Sequence, residues 1–202
     1  LRGLGIAKGD AVMLMLKRHY EYWFCLLALH KLGAVAIPAT HLLKTKDIIY
    51  RNNAAGIKMV ICVNEPDLLE QVDRARKESR MLAYRMVVGG PYKDWICYDD
   101  AVEKQSAVLA RPSGAQAAKN TDIMLLYFTS GTTGMPKMVQ HNFTYPLGHI
   151  ITAKYWQNVK NNGLHLTVSD TGWAKAAWGK IYGQWLAGTA VFVYDYDKFV
   201  PK

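Results

Sequence analysis

The stretch "YFTSGTTGMPKMVQH", Tyr127 to His141, ends an apolar run and then gathers three Thr, one Ser, two Gly, a Pro and a Lys between Thr129 and Lys137. Just upstream, "DIMLLYF" (Asp122 to Phe128) reads as a buried strand, so the hydroxyl-rich segment falls at that strand's carboxyl end. In open parallel sheets ligands bind outside the carboxyl ends of the strands. Gly131 and Gly134 allow the backbone to turn so that successive N–H groups face inward as an anion nest. Thr129, Ser130, Thr132 and Thr133 add hydroxyl donors, and Lys137 adds a mobile positive charge suited to a polyphosphate. The pattern is neither the common GxxxxGK[ST] phosphate loop nor a GxGxxG dinucleotide turn, because Met135 and Pro136 separate Gly134 from Lys137 and Met138 follows. An ordinary Thr-rich surface loop is the competing reading, and the density of donors at a strand end argues against it.

Working outward, apolar strand-like runs alternate with helix-like segments. The strands expected upstream are "DAVMLMLK" (10–17), "AVAIPAT" (34–40), "KMVICV" (58–63) and "YRMVVGG" (84–90). Between them "YEYWFCLLALHKLG" (20–33) reads as a helix stopped by Gly33 at C′. Thr45 is placed as the cap of a short helix, and Pro66 in the first turn of another. After a weakly patterned connector over 91–120, the rhythm resumes with a helix expected over 144–158, a strand over 164–169, a helix over 173–186 and a strand over 189–194. Continuous apolar strands separated by helices define an α/β fold with a mostly parallel sheet covered on both faces. The first α/β part spans about 1–110, and a second part, 121–202, carries the loop.

Composition narrows the class. Half of the 202 residues are hydrophobic and a fifth charged, as in an ordinary globular protein. The richest apolar run, "YWFCLLAL" (22–29), falls short of the roughly 18 residues a membrane-spanning helix needs. Cys25, Cys62 and Cys97 are odd in number and form no CxxC pair, which speaks against a disulfide framework or zinc site and for a reducing, cytoplasmic setting. The formal charge of +9 admits nucleic acid, a membrane face or an anionic small molecule. The densest charged segment, "EQVDRARKESR" (70–80), mixes both signs and fits a solvated helix with i,i+4 pairs. No interleaved aromatic and basic strand marks a nucleic-acid binder. The opening "LRGLGIAKGD" lacks an initiator Met and resembles no signal peptide, so a piece of a longer protein is expected.

"TSGTTGMPK" resembles the signature phosphate loop of the adenylate-forming superfamily, which includes acyl-CoA synthetases, adenylation domains of peptide synthetases and luciferases. "PKMVQH" is similar to the medium-chain acyl-CoA synthetase branch. "LHKLGAVAIPAT" (29–40) resembles the second core motif, and "SDTGWAKAAWGKIYGQWLAG" (169–188) the segment bordering the acyl pocket. The resemblance covers essentially the whole chain. It implies a reaction in which a carboxylate attacks the α-phosphorus of ATP with Mg²⁺, giving acyl-AMP and pyrophosphate, after which coenzyme A forms the thioester.

By that resemblance Thr129, Ser130, Gly131, Thr132, Thr133, Gly134 and Lys137 hold the nucleotide phosphates, with Thr133 and Lys137 closest to the chemistry. Trp156, Trp173 and Trp178 border an apolar acyl pocket with Lys175 near its mouth, against a plain packing role for each Trp and a solvated role for the lysine. His141 follows the loop, where a capping or packing role is the ordinary one. No metal ligand is identified. The Tyr-Gly-x-Thr-Glu motif, the ribose-binding Asp and the C-terminal domain with its catalytic Lys are absent from these residues, so the chain reads as the front of the large N-terminal domain and is expected to be inactive by itself. An adenylation domain feeding a carrier protein, or a nucleotide-binding unit without turnover, remains as an alternative. A homo-oligomer is also admitted.

Overall fold

The structure is a computed structural model, and it describes residues 1–130 and 134–196. The chain runs β1 (Ala11–Met15), α1 (Glu21–Leu32), β2 (Val35–Pro38), α2 (Thr45–Ala54), β3 (Ile57–Val63), α3 (Pro66–Arg76), β4 (Tyr84–Val88), β5 (Ile96–Cys97), α4 (Tyr98–Glu103) and β6 (Ile123–Thr129). It continues with β7 (Lys137–Asn142), α5 (Tyr145–Ile151), β8 (Leu164–His165), α6 (Ala174–Lys180), α7 (Tyr182–Leu186) and β9 (Ala190–Val191). Seven strands form one sheet in the order β5-β4-β3-β1-β2-β6-β7, while β8 and β9 pair separately in parallel. Every pairing in the large sheet is parallel except β6 with β7.

The sheet is buried on both faces, which is why its strands read as unbroken apolar runs. Along β1, Val12 and Leu14 join Tyr22, Leu26 and Leu29 of α1 on one face. Met13 and Met15 join Ile48 of α2 and Leu68, Leu69 and Val72 of α3 on the other. The alternation is the two-residue period of a strand, and Tyr22, Leu26 and Leu29 follow the i, i+4, i+7 stripe of an amphipathic helix. Gly33 ends α1 as the sequence predicts: at φ 71° its N–H reaches the carbonyls of Leu29 and His30, and Ala34 N–H closes on Leu29 O at 2.9 Å.

The charged 70–80 segment divides between two roles. Arg74 pairs with Glu70 at 2.7 Å on the solvated face, whereas Asp73 turns inward to bond buried Arg85 and to accept from Trp95 Nε1 at 2.8 Å. Thr45 is the first residue of α2 and Lys44 its N-cap, and the Thr45 hydroxyl bonds Gln71 Oε1 across to α3 at 2.5 Å. It ties two helices together instead of capping one.

The second half departs most from expectation. Residues 137–142 form a strand that sequence patterning misses, because an edge strand exposed along nearly its whole length carries no apolar alternation. The same reasoning misses the short β5 and α4. The helix expected over 144–158 is α5 followed by a π-helical turn, Thr152–Trp156. The helix expected over 173–186 is broken at Ile181, whose φ and ψ of −132° and −85° separate α6 from α7. The strands expected over 164–169 and 189–194 shrink to two residues each.

His30 sits beneath this half, with Nε2 2.8 Å from Tyr182 Oη and Nδ1 shielded from solvent without a hydrogen-bond partner among the described residues. Burial pushes its pKa down to about 4. The unfolded chain then binds a proton near pH 6.5 that the native state refuses, so stability is expected to fall as pH drops from about 6.5 towards about 4, by on the order of 3 kcal/mol. Urea unfolding across that range checks this: His30→Gln should flatten the slope, and an unchanged slope would rule His30 out as its source.

Candidate functional site

Parallel pairing of β1, β2 and β6 brings their carboxyl ends to one edge of the sheet. The loop leaves this edge after Thr129 and returns as β7, where Lys137 lies opposite Thr129 in antiparallel register. The first and last predicted phosphate ligands are therefore direct cross-strand neighbours. The Thr129 hydroxyl points to the Lys137 carbonyl at 3.5 Å, at the outer limit of a hydrogen bond. Lys137 is exposed and pairs with no acid among the described residues. Gly134 adopts φ 92°, a left-handed conformation that L side chains strain to reach, and a Cβ there would meet open space. Glycine is thus required by the turn and not by crowding. The candidate residues Gly131, Thr132 and Thr133 lie outside the described residues.

His141 stacks on Tyr145 with ring centroids 4.0 Å apart and touches Tyr127 edge-on at 6.2 Å. Desolvation lowers its pKa, and that of His149 too, with His141 as a second cause for the latter. His141, within β7, packs against the rings of Tyr127 and Tyr145.

The tryptophans separate. Trp156 ends the π-helical turn, is 68% exposed, and meets Trp178 of α6 at 5.3 Å with planes 36° apart, an aromatic contact between two helical segments. Trp173 is the N-cap of α6, not a residue within it, and is 61% exposed. Lys175 is exposed as well. Neither takes part in the Trp156–Trp178 contact.

Sequence reasoning misses a set of buried polar groups where "SDTG" docks against the sheet edge. Gly172 packs so tightly on Ala39 and Thr40, just past β2, that a Cβ would fall 2.4 Å from Thr40 N. Arg18, just past β1, reaches Asp170 at 3.3 Å, and His41 Nδ1 lies 3.7 Å from the same carboxylate. The Thr171 hydroxyl donates to Lys17 O. Lys180, nearly fully buried, donates to Ser169 O and places its ammonium 5.5 Å from the Trp23 ring centre. Desolvation is the main cause that brings its pKa down to about 8. An Asp three residues before a Trp in a polar turn was the available signal, but its charged partners Arg18 and His41 come from more than 120 positions away.

No group of three or more His, Cys, Asp or Glu side chains converges among the described residues, and none of their helices is long and apolar enough to cross a membrane. The described residues define an α/β domain with a hairpin at the carboxyl edge of its parallel strands. The AMP-binding enzyme family matches residues 1–202, and the chain belongs to it.

Within that family the chain is 32% identical over 197 residues to mitochondrial acyl-coenzyme A synthetase ACSM4 of Rattus norvegicus, covering 96% of this chain and 33% of the relative. It is 32% identical over 200 residues to mitochondrial ACSM5 of Homo sapiens, covering 98% of this chain and 33% of the relative. The chain thus spans about a third of the length of the curated relatives it matches. Among solved structures, the anthranilate CoA ligase AuaEII in complex with anthranoyl-AMP superimposes with a TM-score of 0.84 at 24% identity, over 96% of this chain and 36% of that one. The Brucella canis acyl-CoA synthetase gives 0.79 at 20% identity, over 95% and 34%. These two likenesses establish the fold.

Proposed function

We propose that this chain forms the phosphate-loop part of an acyl-CoA synthetase, in which a short- or medium-chain carboxylic acid is adenylated by ATP and then transferred to coenzyme A. The observation that carries the reading is the hairpin that sets Lys137 against Thr129 at the carboxyl edge of a parallel sheet, in a chain belonging to the AMP-binding family. Backbone N–H groups, hydroxyls and one unpaired lysine concentrate donors where charge develops on phosphoryl oxygens, which is the stabilisation phosphoryl transfer requires. Thr129, Ser130, Gly131, Thr132, Thr133, Gly134 and Lys137 would hold the phosphates and then the leaving pyrophosphate. The described residues offer no carboxylate cluster of their own for Mg²⁺. We therefore read the cation as arriving on the phosphates of ATP, in keeping with its preference for one or two protein ligands plus substrate oxygens.

We read the Trp156–Trp178 contact as the end of the acyl pocket, with Trp173 and Lys175 nearer its mouth. Truncation by Trp178→Ala is expected to shift preference towards longer acids, since each methylene admitted is worth about 1 kcal/mol. Acid-dependent exchange of labelled pyrophosphate into ATP, run over straight-chain acids of increasing length, measures this. An unchanged length profile would remove Trp178 from the pocket.

The same exchange assay tests the function. ATP–Mg²⁺ binding with acid-dependent exchange supports adenylation by this chain. Binding without exchange assigns it a nucleotide-holding role, with turnover residing in a longer protein. Absence of both binding and exchange would overturn the reading for this chain. Transfer to coenzyme A, instead of to a carrier protein, is favoured by the "PKMVQH" and "SDTGW" stretches. The three free thiols fit a reducing compartment. We place the protein in the cytoplasm on that ground, although the relatives it matches are named mitochondrial.

A further inference from the structure

We propose that Tyr50 of α2 is a positioning residue that latches the return leg of the phosphate loop, an inference that rests on reading residues 129–137 as that loop. The Tyr50 hydroxyl donates to the Pro136 carbonyl at 2.9 Å. Pro136 immediately precedes Lys137, so this bond fixes the backbone that carries the lysine. Among the described residues it is the one side-chain hydrogen bond that reaches the legs of the loop from outside the hairpin.

The same helix also grips the other leg. The Tyr50 ring meets Phe128 edge-on at 6.1 Å, and the Arg51 guanidinium lies 5.2 Å from the Phe128 ring centre. Phe128 immediately precedes Thr129, so two consecutive residues of α2 hold both strands at the point where the loop departs. A latch works only if its base is fixed, and α2 is fixed. Ile48 is fully buried, Asn52 Nδ2 donates to Ser79 Oγ at 2.9 Å, and Thr45 is bonded to Gln71 of α3. The hairpin gains little anchorage elsewhere at this level, because β7 is an exposed edge strand and the Thr129 hydroxyl contact is long. Fixing a loop in advance of binding lowers the ordering entropy that a ligand must otherwise supply.

The test compares the wild-type chain with Tyr50→Phe, which keeps the ring against Phe128 and removes only the hydroxyl. Amide hydrogen exchange over residues 137–140 is expected to accelerate about three- to tenfold, the range of one net hydrogen bond, while the melting temperature falls by no more than the few degrees that one such bond is worth. ATP–Mg²⁺ affinity, measured by titration calorimetry, should weaken by a similar factor. A merely structural tyrosine would shift the melting temperature without this local signature. Unchanged exchange over 137–140 overturns the latch. If the wild-type chain itself binds no ATP–Mg²⁺, the phosphate-loop reading fails for this chain, and the exchange comparison alone still decides whether Tyr50 holds the loop. Tyr50→Ala, which also removes the ring, should accelerate exchange further, and exchange no faster than in Tyr50→Phe would confine the latch to the hydroxyl.

Discussion

Replacing Lys137 by Ala is expected to weaken ATP–Mg²⁺ binding by about ten- to a hundredfold while leaving the melting temperature unchanged. The magnitude is that of a charge-assisted hydrogen bond to a phosphate, about 1.5–3 kcal/mol. Stability should be spared because the Lys137 side chain is exposed and has no acid partner among the described residues, so its removal strands no buried charge. Its place in β7 depends on backbone pairing with Thr129, which Ala preserves. Titration calorimetry of both proteins reads the affinity, with Lys46→Ala on exposed α2 surface as a charge-matched control. Equal affinity in Lys137→Ala and the control would show that net charge, not the loop lysine, attracts the nucleotide. A Lys137→Arg variant should recover only part of the loss, because a planar fork does not reproduce a compact ammonium.

The second large effect concerns stability. Gly172→Ala is expected to cost about 3 kcal/mol, at the upper end of overpacking in a well-packed interior. A Cβ at this position would lie 2.4 Å from Thr40 N, 2.5 Å from Ala39 C and 2.7 Å from Ala39 O. All three are backbone atoms at the end of a central strand, so no side-chain rotation relieves the overlap. Relief requires the Ser169–Gly172 turn to lift from the sheet edge, which would stretch the Arg18–Asp170 pair and the bond from Thr171 to Lys17 O. The urea midpoint measures the loss. Gly148→Ala in α5 is the matched control, because a Cβ there meets nothing within 4 Å and should stabilise slightly through helix propensity. Equal midpoints for the two variants would mean that the turn can move away from β2 at little cost.

The two effects separate the parts of the site by what holds them. The legs of the hairpin at Thr129 and Lys137 are held by strand pairing and by contacts from α2, so the Lys137 side chain can be altered without unfolding the chain. The Ser169–Gly172 turn is held by a backbone-to-backbone approach and by polar groups buried around Asp170, so its position and the stability of the chain are one quantity. Burial of Lys180 belongs to this second part. Its lowered pKa reflects an ammonium taken out of water to fix the Ser169 carbonyl.

The sequence by itself determined the α/β class, the strands and helices from β1 to β4, and the motif on which the family resemblance rests. Those features are local: a strand buried on both faces is a continuous apolar run, Gly33 stops a helix through its own backbone, and the Thr129–Lys137 motif is contiguous. Only the tertiary structure decided that Lys137 begins an antiparallel edge strand, since an exposed strand on the sheet's rim carries no hydrophobic period to read. It also decided that the helix expected over 173–186 breaks at Ile181, where Gly183 must approach the His149 carbonyl of α5 closely enough that a Cβ would fall 2.4 Å away. The pairing of Trp156 with Trp178, the setting of Asp170 between Arg18 and His41, and the reach of Tyr50 to Pro136 were likewise settled by packing. Each depends on the distance between residues that the chain brings together only after the sheet has formed, and side-chain chemistry alone carries no information about that distance.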